Sequence, residues 1–440
     1  MTQDNGVRIG RVKQGQVTQK LQFYQEEHRR LTVLFNITRN ISTELKLDKL
    51  LYLLMDEVKK AMKADRCTVF LLDKEKNELW SKVAHGENEI KFESHLGIAG
   101  YVATTGVILN IPDAYADQRF NREIDKQTGY HTNNMLTFPM CNKRGEIIGV
   151  FQVLNKYEGP FTKEDEQLLG AISTISATQI ENAQLYEEQK KTFDSFIETL
   201  ASTIDARDPL TAGHSKRIAL YADCIAQEMN ISLNRREILR YAALLHDYGK
   251  IAIRDAVLTK RGRLTVEEYN HIKEHPAYTQ SILEKINFSG DYTSIPFIAA
   301  AHHEKMDGTG YPKGLIGEDI PIESRILAVA DVFDALTSRR HYRNRMELDK
   351  VIEFLEKNSS SHFDINCINA FKRVRLNSLL LILEDGSSEY IDQDDLSLLG
   401  SYNIMELLER QNGKARTDED RLITITFNKY YNKTYANVTY

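Results

Sequence analysis

The stretch Leu245-His246-Asp247-Tyr248-Gly249-Lys250 decides how this chain is read. It sets a histidine beside an aspartate directly after the apolar run Ala242-Ala243-Leu244-Leu245. A lone His-Asp pair is most often a surface or capping pair. Here it belongs to a series, with His214 upstream and His275, His302-His303 and Asp331 downstream. Five of the chain's twelve histidines fall in these places. Imidazole nitrogens with carboxylates suit first-row transition ions rather than an all-oxygen calcium cage. An adjacent His-Asp pair can give one ligand to each of two neighbouring ions, with the carboxylate bridging.

Asp331 carries the clearest physical argument. It lies between Ala330 and Val332 in a run that is apolar on most sides, Ile326, Leu327, Val329, Phe333 and Leu336. An ionised carboxylate buried there needs a strong partner. A metal ion supplies one; the alternatives are a salt bridge to Arg325 or Arg339, or a solvent-facing position. His302 and His303 can face one ion pair only if their helix ends, because consecutive helical residues point about 100° apart. Lys305-Met306-Asp307-Gly308 supplies that end. The expected ligands are His214, His246, Asp247 and Asp331 for one ion and His275, His302 and His303 for the second, with Asp247 bridging. Such paired ions typically lie about 3.5–4 Å apart, supply a nucleophile and neutralise phosphate charge.

At 440 residues the chain has length for two or three domains, and 42% hydrophobic content fills ordinary cores. A net charge of −6 argues against a dedicated binder of nucleic-acid polymers. Cys67, Cys141, Cys224 and Cys367 are scattered with no CxxC pair, which fits reduced thiols and a cytoplasmic location. No signal-like core and no bilayer-length apolar run is present, so no membrane insertion is expected.

Along the chain, Met1 to Gln19 reads as a polar, loose arm. Apolar residues at helical spacing follow from Leu31 to Ile41 and from Leu47 to Val58, and then the period changes to that of strands at Cys67–Asp73, Leu79–Ala84, Ile108–Ile111, Met135–Met140 and Ile147–Leu154. From Asp165 to Ala206 a seam of threes and fours, Leu169, Ile172, Ser176, Gln179, Ala183, Tyr186, Lys190, Phe193, Ile197, Leu200 and Ile204, predicts a long connecting helix paired with its copy in a dimer. The alternative is one amphipathic helix docked on its own domain. The remainder reads as helices, one opening at His214 and one at the capping box Thr265-Val266-Glu267-Glu268, interrupted by Pro276 beside His275. Near the C-terminus, Ile423-Thr424-Ile425-Thr426-Phe427 alternates like a strand.

His214, His246-Asp247-Tyr248-Gly249-Lys250, His275, His302-His303-Glu304, Asp307-Gly308-Thr309-Gly310-Tyr311-Pro312 and Asp331 resemble the HD-GYP family of metal-dependent phosphodiesterases that cleave cyclic di-GMP. The resemblance runs from about Phe193 to Arg375. It implies two transition-metal ions, iron or manganese, and cyclic di-GMP hydrolysis to linear pGpG or GMP. It makes Lys250 a phosphate or leaving-oxygen partner and Tyr311, Arg340 and Arg343 substrate contacts; the bland reading of Lys250 and of the arginines is surface charge. Some members carry a glutamate four residues before the first histidine that helps hold a third ion; here Leu210 stands there and cannot coordinate, so two ions are expected. The alternatives are a mixed cyclic GMP-AMP substrate and a receptor that binds a cyclic dinucleotide without turnover.

The helix-helix-sheet-helix order upstream resembles a GAF domain, a small-ligand sensor module. Asn155-Lys156, Phe161 and Asp165-Glu166 match the pattern of GAF domains that bind cyclic AMP or cyclic GMP. A Lys156–Asp165 pair would tie the last strand to the final helix and shape the pocket, with Gly97-Ile98-Ala99-Gly100 and 113–132 lining it. The alternative is a GAF domain that only dimerises. The expected fold is multidomain α+β: an arm and helix over 1–30, a GAF domain with an antiparallel sheet over 31–185, a connecting dimer helix over 186–206, an all-α HD-GYP domain over 193–375, and an extension of no assigned role over 376–440.

Overall fold

Alternation along Cys67–Asp73 puts Val69 and Leu71 on one side of a strand and Phe70 on the other, and two different layers bury them. The computed structural model of the protein describes residues 4–82, 89–207, 213–260, 262–338, 345–384, 391–414 and 417–432. It divides into two units, Met1–Thr192 and Phe193–Tyr440.

The first unit comprises α1 (Asp4–Ile41), α2 (Leu47–Ala61), β1 (Ala64–Asp73), β2 (Glu78–Lys82), β3 (Glu89–Glu93), α3 (Gly97–Thr105), β4 (Leu109–Ile111), α4 (Arg122–Thr128), β5 (Met135–Cys141), β6 (Ile147–Lys156) and the first part of α5 (Lys163–Arg207). The strands form one antiparallel sheet in the order β3-β2-β1-β6-β5-β4. α1, α2 and α5 cover one face with Ile37, Leu54, Val58, Leu169 and Ile172; α3 covers the other with Ala99 and Val102. The arm expected over 1–19 is helical from Asp4 onward, as the start of α1. The Gly97–Gly100 turn is instead the first turn of α3.

Along the expected seam, Leu169, Ile172, Ser176 and Ala183 are buried in the first unit, and Ile197 and Ile204 are buried in the second, leaving Tyr186 and Lys190 exposed. Packing within the chain thus accounts for the two ends of the pattern. Among the described residues, an exposed apolar row of the first unit lies on α1: Leu21, Tyr24, Leu31 and Phe35, spaced by three, seven and four.

The second unit is helical throughout its described elements. After α5 come α6 (His214–Glu228), α7 (Leu233–Leu245), a 3-10 turn Tyr248–Ala252, α8 (Asp255–Leu258), α9 (Val266–Ile272), α10 (His275–Leu283), α11 (Ile295–Ala300), a 3-10 turn Ala301–His303, α12 (Ile322–Thr337), α13 (Leu348–Lys357) and α14 (Ile365–Lys372). The capping box at Thr265 and Glu268 opens α9, and Pro276 falls in the first turn of α10, where its missing N–H costs nothing. α15 (Leu376–Leu383), α16 (Gln393–Gly400), α17 (Ile404–Glu409) and α18 (Asp418–Tyr431) follow. The extension is therefore not an appendage: Leu379, Leu399, Leu407 and Phe427 join the core formed by α6, α7, α12 and α14.

The expected strand at 423–427 is α18. Thr417 and Asp420 cap it reciprocally, and Ile423, Thr426, Phe427 and Tyr430 bury one helical face. Local β preference yields to burial on a preformed core. Among the described residues no helix is long and apolar enough to cross a membrane.

Candidate metal centre

Three of the five histidines stand where a helix runs out. His246 follows the last residue of α7, His275 follows the end of α9, and His302 follows α11. The last carbonyls of a helix lack intrahelical donors. Each ring supplies one: Nδ1 of His246 donates to the Ala243 carbonyl at 2.7 Å, His275 to Ile272 at 2.7 Å, and His302 to Ala299 at 2.6 Å. A carbonyl only accepts, so Nδ1 carries the hydrogen and Nε2 is left with a bare lone pair. His214, the first residue of α6, is oriented in the same way by donating Nδ1 to Asp334 Oδ2 at 2.8 Å, which turns its Nε2 toward Asp331. Orienting partners of this kind fix the tautomer of metal-ligating histidines.

The freed Nε2 atoms converge with two carboxylates. Three groups each keep their ligand atoms within 4.8 Å of one another: His275, His302 and His303; His214, His246 and Asp331; His246, Asp247 and His302. Asp247 lies between the sets. Its Oδ1 is 3.2 Å from His275 Nε2 and 4.0 Å from His302 Nε2, and its Oδ2 is 3.4 Å from His246 Nε2 and 3.9 Å from His214 Nε2. Asp331 Oδ1 is 3.4 Å from His214 Nε2; of its two alternative partners, Arg325 pairs with Asp364 instead and Arg339 falls outside the described residues.

The cluster fits cations. Nε2 of His246 is buried with no hydrogen-bond partner, an expensive arrangement for an imidazole nitrogen unless something coordinates it. Burial drives His302 well below its ordinary value, helped by its neighbouring histidines, and lowers His303 to about 4, so both are neutral donors. Burial works to raise Asp247, but Lys250, His246 and His275 outweigh it and hold the carboxyl well below the usual range. His214 goes the other way: burial opposes its charge, yet Asp331 and Asp334 raise it to about 10. The acidic side of the cluster thus attracts positive charge that a metal ion would supply.

Ordinary residues hold the candidate ligands in place. Thr279, four residues after His275 and fully buried, accepts from the Gly249 amide at 2.8 Å and donates to the His246 carbonyl at 2.9 Å. A Cβ on Gly249 would meet the His275 carbonyl oxygen at 2.0 Å, so α10 packs directly on the His-Asp turn. Asp334, one turn beyond Asp331, orients His214 and is itself gripped by Arg217 at 2.7 and 3.1 Å. Arg207, the last residue of α5, donates to the carbonyls of Lys250, Ile251 and Ile253 and to Asp255, using all five of its N–H donors. Glu304 is buried and accepts from the Lys313 and Leu315 amides at 2.7 and 2.9 Å, which secures the Gly310-Tyr311-Pro312 loop. The sequence reading gave none of these five a role. For Thr279 and Asp334 the available signal was helical spacing from a ligand on the same face.

Of the expected substrate contacts, Lys250 Nζ sits 2.6 Å from Asp247 Oδ2, and the Tyr311 ring lies 4.8 Å from the His303 ring. Arg340, Arg343 and Leu210 fall outside the described residues. In the first unit, Asn155 (φ +55°) bonds to the Asn133 amide, the Tyr130 hydroxyl and the His131 carbonyl, pinning the segment before β5. Lys156 pairs with Asp165, whose carboxylate also accepts from the Thr162 amide at 2.7 Å. Asn110 on β4 donates to the Phe161 carbonyl and to Glu166 at 3.0 and 2.9 Å. These five signature residues lace β4, β6 and the start of α5 together.

Residues 198–367 match the family model described as HD domain, and residues 46–180 match the GAF domain model. The 3'3'-cGAMP-specific phosphodiesterase 3 of Vibrio cholerae serotype O1 is 42% identical over 184 residues, 41% of this chain and 39% of its own length. The cyclic di-GMP phosphodiesterase response regulator RpfG of Xanthomonas campestris pv. campestris is 41% identical over 183 residues, 41% of this chain and 47% of its own. The dual 3',5'-cyclic-AMP and -GMP phosphodiesterase 11A of Takifugu rubripes is 37% identical over 187 residues, 39% of this chain and 21% of its own. The chain spans less than half the length of each of these relatives.

Proposed function

We propose that this chain, which carries a GAF domain ahead of an HD domain, is a metal-dependent phosphodiesterase that hydrolyses a cyclic dinucleotide. The observation that carries the proposal is the convergence of five histidines and two aspartates with four rings locked by their Nδ1 bonds. In this reading His214, His246, Asp247 and Asp331 hold one ion and His275, His302 and His303 the other, with Asp247 shared. Two bound ions, iron or manganese, would activate water and neutralise phosphate charge. The protein's own part is to orient and to supply protons. Lys250 keeps its ammonium at Asp247 and from there can meet the charge that develops on a leaving oxygen. Tyr311, fixed by its loop, borders the His303 side, and Arg340 and Arg343 complete the proposed substrate contacts.

Cyclic di-GMP is the proposed substrate, supported by the printed activity of the Xanthomonas relative; that of the Vibrio relative makes 3'3'-cGAMP the competitor. Incubating metal-loaded protein with each, and resolving the products by chromatography, tests both. Cleavage of neither would sink the enzyme reading; binding without cleavage would favour a receptor. The GAF domain is proposed to take cyclic AMP or cyclic GMP and thereby set the rate. The laced signature supports this. A homodimer belongs to the proposal, with the exposed row on α1 as its support. So does a cytoplasmic location, which suits four free cysteines.

A further inference from the structure

Lys273 caps the C-terminus of α9, two residues before His275. Its ammonium stands 4.8 Å from the ring centroid of Tyr269 and 5.4 Å from that of Tyr311. Both supports are registered to the metal centre. Tyr311 lies against His303, and its amide donates to the His303 carbonyl at 3.2 Å, while α9 leads into His275 through the Ile272 carbonyl bond. Among the described residues Lys273 forms no ion pair. Neighbouring cations are already engaged: Lys250 with Asp247, Arg217 with Asp334, and Arg207 with Asp255 and three carbonyls. Aromatic rings position an ammonium without cancelling its charge.

A cyclic dinucleotide carries two phosphodiesters, each with one negative charge. Only one can react at the metal centre at a time, and the other still needs a counter-charge. We propose that Lys273, held between Tyr269 and Tyr311, binds the second, non-reacting phosphate and so selects a cyclic dinucleotide over a simple phosphodiester. This rests on the phosphodiesterase reading above. Tyr269 is 51% exposed beside that charge, an aromatic side chain within reach of a base of the same ligand.

The test compares wild type with Lys273→Ala and Lys273→Arg in the metal-loaded full chain, using cyclic di-GMP, 3'3'-cGAMP and bis(4-nitrophenyl) phosphate. Lys313→Ala serves as the charge control, because the Lys313 ammonium lies over Phe297 instead. For Lys273→Ala the ratio of kcat/KM for the cyclic dinucleotide to that for the simple diester should fall about tenfold, the scale of one charge-assisted contact at a partly exposed site, with the loss in KM. Lys273→Arg should recover most of it, and Lys313→Ala should leave the ratio as in wild type. An unchanged ratio in Lys273→Ala, or an equal loss with Lys313→Ala, overturns the inference. Calorimetric binding of the dinucleotide gives the same comparison in a protein that does not turn it over. Wild-type binding undiminished in Lys273→Ala overturns this inference alone; no binding by wild type overturns it together with the reading it rests on.

Discussion

Thr279→Val isolates the link between the His-Asp turn and α10. Valine keeps the shape and removes only the hydroxyl. Two buried contacts go with it: the Gly249 amide loses its acceptor and the His246 carbonyl loses its donor. Water cannot replace them while α10 sits on Gly249, where even a methyl group would clash. Leaving a buried polar group unsatisfied costs about 1–3 kcal/mol, so the pair should cost roughly 2–6 kcal/mol. That is a large share of the roughly 5–15 kcal/mol that holds a typical domain folded. The chain offers a convenient assay. Its single tryptophan, Trp80, lies on β2 of the first unit, so its fluorescence in urea reports that unit, whereas helical circular dichroism reports both, with the larger share from the second. Thr279→Val should move the dichroism transition to lower urea and leave the Trp80 transition in place. Thr279→Ser, which keeps the hydroxyl, should lose only about 1 kcal/mol for the deleted methyl. Metal affinity, measured by chelator competition, should fall about tenfold in the valine variant, since the turn carrying His246 and Asp247 is no longer registered to His275. If valine costs no more than serine and metal affinity is unchanged, the proposed role of Thr279 is wrong.

Asp247→Ala should remove both bound metal and turnover, as read by elemental analysis and product chromatography, because it deletes the shared ligand. Wild-type protein should carry about two ions per chain; three would mean that a ligand outside the seven assigned here exists. Asp334→Asn, which weakens the hold on His214, should lower metal affinity roughly 10–100-fold in a chelator titration. Arg207→Ala should keep its metal but lose at least roughly tenfold in kcat, and Arg207→Lys should not restore it, because one ammonium cannot span three carbonyls and Asp255. Calorimetry with cyclic AMP and cyclic GMP should show binding to wild type and weaker binding to Asn155→Ala; heat from neither nucleotide would leave the GAF domain without its proposed ligand.

Much of the fold is legible in residue order because burial repeats at the period of the element. Val69, Phe70 and Leu71 announce a strand buried on both faces, and Leu50, Leu54 and Val58 announce one stripe of a helix. The limit of such patterns has a physical cause. The seam of α5 reads as a dimer face, and Ile423–Phe427 reads as a strand, because an apolar pattern says that something covers the residues without saying what. For the two ends of α5, cover comes from its own chain at Leu169, Ile172, Ile197 and Ile204. For α18 it is the core around α6 and α14, against which helical spacing of Ile423, Thr426 and Phe427 works as well as alternation.

The centre divides along a different line. Histidine and aspartate bring chemistry that few other residues share, so His246-Asp247, His302-His303 and Asp331 can be picked out from type and context. Their supports bring nothing distinctive. A threonine, a second aspartate on α12 and an arginine at a helix end become informative only when the fold sets them against a particular carbonyl or ring nitrogen. Yet the two classes share one origin. Helices that stop at the centre expose carbonyls, the carbonyls take Nδ1–H of His246, His275 and His302, and that bond turns each Nε2 inward. The candidate ligands face the centre because the helices end there, and the helices end where Gly249, Pro276 and the loop after His303 stop or redirect the chain. Substitutions that lengthen one of these helices, leaving every ligand in place, should therefore damage the centre as surely as removing a histidine.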